Sequence, residues 1–260
     1  MLKIENVDVM GWEAAIRGMR NPLNSWEKSD SFCKPSTDNC CGCHDYDKCA
    51  YIFEQNGKSY RSGIGPNDQD LMKRLRNAGT DHRKFMRMIT VYVDITAPLY
   101  WWKEFDTYKV GTVANSCSTM HKIADKEFTL EDFSHEHLDD EFECVKSAAA
   151  DPYDGDFKTS ISILLDTIEG LNWWRNQYFH QKEINAGPER LKWCWWQMIQ
   201  LLPSSYNQRR TVMLNYEVLA NMYRSRKNHK LDEWHVLCDW IKTLPYSQLI
   251  TGEFDVPEEK

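Results

Sequence analysis

The 260-residue chain has no apolar stretch near the roughly 18 residues that a membrane-crossing helix needs; its apolar runs, such as 161–165, are short. No spanning helix is therefore expected. The first twenty residues lack the basic start, apolar middle and small-residue cleavage site of a secretory leader, so a cytoplasmic location is expected. There is no G-x-S-x-G, P-loop, G-x-G-x-x-G or H-E-x-x-H, which removes the commonest hydrolase, kinase, Rossmann and zinc-protease signatures. No fixed-period repeat and no low-complexity tract occurs. Excess positive charge is missing too. With 32 Lys and Arg against 39 Asp and Glu, the net charge of -7 gives no global attraction to nucleic-acid polymers or anionic membranes, so any basic site must be local.

What the chain does have is a 42% hydrophobic fraction, enough for a sizeable core, and 11 Trp, 12 Tyr and 10 Phe. Aromatics this dense point to planar ligands or extensive interfaces. The acidity is concentrated: residues 126–157 carry eleven acidic and two basic residues, leaving the rest of the chain at +2. Residues 203–230 hold six Lys and Arg against Glu217 alone, a local +5 that reads either as a phosphate site or as a solvated basic face.

Alternation over 2–8 predicts a strand, and 12–19 a short helix. A helix capped by Asn67 or Asp68 is expected through Asn77, with Leu71, Leu75 and Ala78 on one face and Gly79 ending it. The Ile-, Val-, Tyr- and Thr-rich stretch 88–96 is the strongest strand, and Pro98 then opens a helical turn carrying Trp101 and Trp102. Helical periodicity is expected over 161–178, 189–201, 208–226 and 232–242. On a helix through 208–226, Asn215 and Arg226 are eleven residues apart and fall within roughly 20° of each other.

Residues 24–66 read as a cysteine-rich insertion. Cys40-x2-Cys43 can place two thiolates on one ion, and Cys33 and Cys49 can complete a four-sulfur structural zinc site, with Cys41 and His44 as competing ligands. The alternative is a loop carrying unrelated thiols. His82, between the first long helix and the strongest strand, stands where ligand-binding residues collect; the alternative is a histidine that only caps or bonds to nearby backbone.

Taken together, His82 to Thr119 resembles the flavin-dependent thymidylate synthases. His82, the strand 88–96 and Pro98-Leu99-Tyr100 follow that family's histidine, strand and Pro-Leu-aromatic order without a gap. The family's Arg-His-Arg, seven residues, then Ser falls on Thr107-Tyr108-Lys109, seven residues, then Cys117. Its Ser-x-Asn-Glu becomes Thr112-Val113-Ala114-Asn115, and its closing arginine becomes Thr119. A second block keeps Leu202-Pro203, Arg209, Asn215, Asn221 and Arg226 in identity and spacing.

The resemblance implies an α+β fold, with a mixed sheet in the first half and a mainly helical second half, as one domain over 1–260 interrupted at about 24–66 and 126–157. It implies FAD, NADPH and a folate one-carbon donor, methylation of a pyrimidine deoxynucleotide such as dUMP, and a homotetramer. His82, Lys109, Asn115, Asn215 and Asn221 would lie toward the flavin, and Arg209, Arg226 and Cys117 toward the nucleotide. No enzyme nucleophile is required. At Thr107-Tyr108-Lys109 one ammonium stands where the family has two guanidinium groups, and each lost bidentate contact costs about 1.5 to 3 kcal/mol. Arg83, Arg87 and Lys103 are candidate replacements, and Tyr108, Trp101 or Trp102 could stack on a flat ring. A catalytically inactive nucleotide-binding protein on the same fold, with the flavin lost, is the alternative.

Overall fold

A computed structural model of the chain describes residues 2–31, 52–55, 58–61, 64–142, 145–146 and 157–254. The elements are, in order, β1 (Lys3–Met10), α1 (Trp12–Arg20), β2 (Ile52–Gln55), β3 (Lys58–Arg61), α2 (Pro66–Asn77), β4 (Thr90–Pro98), α3 (Leu99–Phe105), β5 (Val113–Ser116) and α4 (Thr119–Lys122). They continue with β6 (Val145–Lys146), β7 (Phe157–Lys158), α5 (Ser160–Glu183), α6 (Pro188–Leu201), β8 (Asn207–Asn215), α7 (Tyr216–Arg226), α8 (Asp232–Lys242) and α9 (Gln248–Thr251). Four strands form one sheet in the order β1-β4-β8-β5, and two short hairpins pair β2 with β3 and β6 with β7, each antiparallel. Strands β4 and β8 run antiparallel, as the bonds from Tyr216 N to Ile89 O and from Leu99 N to Tyr206 O require.

The expected helix over 208–226 does not form. Residues Asn207–Asn215 are a strand, and only Tyr216–Arg226 is helical. Burial at Gln208, Val212 and Leu214 follows the two-residue period of a strand against a buried face. The cylinder that placed Asn215 and Arg226 on one face is therefore absent.

The chain falls into two compact units. One comprises Ile4–Asp94, Tyr108–Ala114 and Thr211–Lys260. There α1 buries Ala15, Ile16 and Met19, the one-sided spacing of an amphipathic helix, and Gly11 at its start takes φ +93°. A Cβ on Gly11 would stand 2.1 Å from the Met88 carbonyl oxygen, so no other residue fits without moving that backbone. Helix α2 begins at Pro66 and buries Asp68 and Met72, whereas Leu71 and Leu75 are only half-buried and Ala78 is exposed beyond the helix end. Asp68 is fully buried and paired with Arg20, 5% exposed, at 2.6 Å; Ser29 and Ser31 donate to its other oxygen. A second buried pair joins Arg83 to Glu217 at 2.8 Å.

The other unit comprises Met1–Lys3, Ile95–Thr107 and Asn115–Arg210. Its core gathers Phe128, Phe133, Leu164, Ile168, Leu171 and Met198, with α5 and α6 packed against each other. Thr159 caps α5 by accepting from Ser162 N, and Pro188 opens α6. In α3, Trp101, Trp102 and Phe105 are buried and meet ring to ring at 4.9 to 5.1 Å. The described part of the acidic stretch, 126–142, holds a 3-10 turn at Leu130–Asp132 closed by a capping box between Thr129 and Asp132.

Candidate functional site

Arg209 on strand β8 is exposed, and the chain just beyond β5 is hydrogen-bonded to its backbone. The amide of Cys117 donates to the Arg209 carbonyl at 2.9 Å, and the Gln208 side chain donates to the Cys117 carbonyl at 3.0 Å. Two residues 92 apart in sequence are thereby fixed at one place. Both line a cavity of about 670 Å³ whose wall also holds Lys3, Lys122, Lys126 and Tyr206. Glu131 and Asp132 line it too, and Lys126 pairs with Asp132. Burial, reinforced by Asp132 and Cys117, pushes the Tyr206 phenol above its usual range, so it is protonated and able to donate. Lys122 is held charged by its hydrogen bond to Asp125. A cavity with four cationic side chains, two carboxylates and a neutral phenol favours an anionic ligand that also presents hydrogen-bonding groups.

In the unit that contains α7, Asn215 is the helix cap: its Oδ1 accepts from Val218 N at 3.0 Å. Gly111, at φ +78°, passes so close that a Cβ would stand 2.8 Å from the Asn215 amide nitrogen. The hydroxyl of neighbouring Thr112 is buried, with no hydrogen-bond partner among the described residues. Asn221 is half-buried and accepts from Arg224. Arg226, in the last turn of α7, donates from Nε to the Tyr108 phenol at 3.0 Å and lies 4.7 Å from the centre of the Trp234 ring. His82 is exposed at the start of the 3-10 segment Arg83–Met88, and Lys109 is exposed as well.

Of the residues expected at a site, Cys117 and Arg209 share one cavity, with Asn115 exposed on β5 close in sequence. His82, Lys109, Asn215, Asn221 and Arg226 all belong to the other unit. Cys33, Cys40, Cys43 and Cys49, with Cys41 and His44, lie outside the described residues. Trp101 and Trp102 are core residues and offer no ring face to a ligand; the indole N–H of Trp102 donates to the Gln208 carbonyl, and the Arg210 guanidinium covers its ring at 4.2 Å. Arg83 is committed to Glu217.

Sequence reasoning missed Lys3, Lys122, Lys126 and Tyr206 in the cavity and Trp234 beside Arg226. The i, i+4 spacing of Lys122 and Lys126 shortly after Cys117 was an available signal. Trp234 had none, because the packing of α8 on α7 brings it there.

No protein-family model and no curated protein matches the chain. Solved structures do. Thymidylate Synthase X (ThyX) from Helicobacter pylori, solved with FAD and dUMP, superimposes with a TM-score of 0.56 at 15% identity, covering 97% of this chain and 98% of that one. A second ThyX structure from the same organism, also with FAD and dUMP, gives 0.55 at 16% identity, covering 95% and 99%. The UMP/dUMP methylase PolB from Streptomyces cacaoi, bound with 5-Br dUMP, gives 0.51 at 11% identity, covering 97% and 95%. The chain has the ThyX fold. At these identities the likeness is one of fold, and it spans nearly the full length of both chains.

Proposed function

We propose that this protein binds a pyrimidine deoxynucleotide such as dUMP and modifies it with a one-carbon unit in a flavin-dependent reaction. The observation that carries the proposal is the meeting of Cys117 and Arg209 at one cationic cavity. Each comes from a different segment that resembles the flavin-dependent synthases, and the bond from Cys117 N to Arg209 O ties them together. The volume of about 670 Å³ lies in the range of small-molecule sites. Arg209, Lys122 and Lys126 would meet the phosphate, and the neutral Tyr206 phenol would donate to a carbonyl. The ThyX structures that share this fold hold FAD and dUMP, and PolB holds a brominated dUMP.

The residues of the α7 unit fit a flavin in two respects: the Thr112 hydroxyl is a buried donor awaiting a partner, and Asn215, with Oδ1 spent on the helix cap, offers its amide NH2. His82, Lys109, Asn215 and Asn221, all of this unit, would hold FAD. FAD, recharged by NADPH, would supply the electrons that reduce a folate-borne one-carbon unit to methyl. The protein's part is to bind, orient and keep water away, which needs no nucleophile. By the same resemblance the working assembly would be a homotetramer; zinc on Cys33, Cys40, Cys43 and Cys49, read from the cysteine spacing, would be structural.

A second reading, a nucleotide binder without redox chemistry, is favoured by one specific observation. At Thr107-Tyr108-Lys109 the Thr107 hydroxyl is used locally on the Glu104 carbonyl and the cation present is the exposed Lys109. The visible spectrum of the purified protein, alone and after incubation with FAD and dUMP, tests the first reading. A bound-flavin band in the visible spectrum and transfer of label from a folate donor to dUMP are expected; colourless protein that transfers nothing leaves the binder.

A further inference from the structure

Helix α4 is a single turn, too short to be stable by itself, yet residues 117–122 bring Cys117, Ser118, Thr119 and Lys122 to the cavity wall. The far end of the segment is held by side chains of α6 and α5: Trp195 Nε1 donates to the Met120 carbonyl at 2.9 Å, and Arg175 Nε to the Ala124 carbonyl at 3.0 Å. The near end is held at Cys117. Its amide donates to the Arg209 carbonyl at 2.9 Å, and its carbonyl accepts from Gln208 Nε2 at 3.0 Å.

Gln208 is buried, and both ends of its amide are used. Oε1 accepts from Arg210 Nε at 3.0 Å; Arg210 in turn pairs with Asp106 at 2.8 Å and covers the Trp102 ring at 4.2 Å. The Trp102 indole N–H closes the circuit on the Gln208 backbone carbonyl at 2.9 Å. The amide has one workable orientation. Turned over, it would set its NH2 against a guanidinium N–H and its oxygen against a carbonyl oxygen. All of these residues belong to one compact unit, the unit that contains the cavity.

We propose that Gln208 is a positioning residue: its amide ties the start of the 117–122 segment to α3 and so sets where Cys117 and Lys122 stand in the nucleotide cavity. This rests on the nucleotide reading of the cavity given above. It also sorts two adjacent arginines, because Arg210 is spent on Gln208, Asp106 and Trp102 and serves the wall from behind.

Hydrogen exchange read by mass spectrometry, with calorimetry of dUMP binding, tests this on the full chain for wild type, Gln208→Met and Gln208→Glu. Met removes both ends of the amide at similar length; Glu keeps an acceptor for Arg210 and has no donor for Cys117. In both variants the amides of 117–123 should exchange about tenfold faster while α5 and α6 keep their rates, and dUMP should bind about tenfold more weakly. Should Gln208→Met fail to fold, Gln208→Glu carries both measurements. Wild-type exchange over 117–123, faster exchange throughout the unit, or release in Gln208→Met alone overturns the inference. So does wild-type dUMP affinity in a variant whose segment is released. In each of those cases dUMP binding by wild type leaves the nucleotide reading standing; if wild type binds no dUMP, that reading falls and takes the inference with it.

Discussion

Asp68 and Arg20 illustrate how single residues here carry consequences no local pattern announces. In the sequence, Asp68 reads as a helix cap and Arg20 falls just past the expected helix 12–19; folded, they are a buried ion pair with two serine hydroxyls completing the carboxylate's shell. Burial alone would raise the Asp68 pKa, but the hydroxyls of Ser31 and Ser29 and the Arg20 guanidinium outweigh it and hold it below the ordinary 3.8. A carboxyl that releases its proton more readily folded than unfolded stabilises the protein above the unfolded value, about 3.9, and loses that contribution as pH falls through the folded one. Asp68→Asn strands the guanidinium in the core and is expected to cost about 3 to 5 kcal/mol at pH 7, or roughly 6 to 20 °C in melting temperature. The gap between variant and wild type should narrow below about pH 4. Melting curves at pH 7 and pH 3.5 check both statements, and a constant gap would mean the proton plays no part. Arg83 teaches the same lesson: it looks like a spare cation because its partner, Glu217, is 134 residues away.

Among the elements, β8 and α7 show where sequence pattern gave out. The strands 2–8 and 88–96 and the helices 12–19, 161–178, 189–201 and 232–242 are all found within a few residues of their expected bounds, since each carries its own period and its own Pro, Gly or Thr boundary. Residues 208–226 do not, because Arg209-Arg210-Thr211 has no strong period and the partner that makes it a strand, β4, lies more than a hundred residues earlier. The overlooked signal was Asn215, a preferred cap residue standing between the alternating Val212 and Leu214 and the run that begins at Tyr216. That capping role gives Asn215 two possible duties, which substitution separates. Asn215→Ala removes both and should cost about 1 kcal/mol, roughly 2 to 4 °C. Asn215→Asp keeps an acceptor for Val218 N and loses the amide donor; stability should hold while flavin binding, read from the visible band, drops about tenfold or more. If Asn215→Asp keeps both, the residue is a cap alone.

At the scale of the whole molecule, composition spoke through its aromatics and its charge. The 33 aromatic residues suggested planar ligands or extensive interfaces; Trp101, Trp102 and Phe105 are buried against one another and Trp234 covers Arg226, whereas Trp173 and Trp193, which flank Trp174, are exposed. Net charge served better: the -7 hides a cationic cavity because the carboxylates crowd into 126–157, and the basic segment 203–230 supplies Arg209 to its wall. The fold stayed legible because motif spacing survives where motif identity does not, as an 11% to 16% identical match along the whole chain requires. What spacing cannot transmit is which ligand the chain binds, and mass action can. A ligand that binds only the folded chain at a hundred times its Kd adds about 2.7 kcal/mol, which for a protein this size raises the melting temperature by roughly 5 to 10 °C. For a flavin enzyme FAD and dUMP should each shift the transition, and together by more than either alone; for a nucleotide binder dUMP shifts it and FAD does nothing. Raising salt from about 50 to 500 mM should shrink the dUMP shift if, as proposed, the cavity's lysines and Arg209 meet the phosphate through charge. A dUMP shift that salt leaves untouched would place the nucleotide away from those cations.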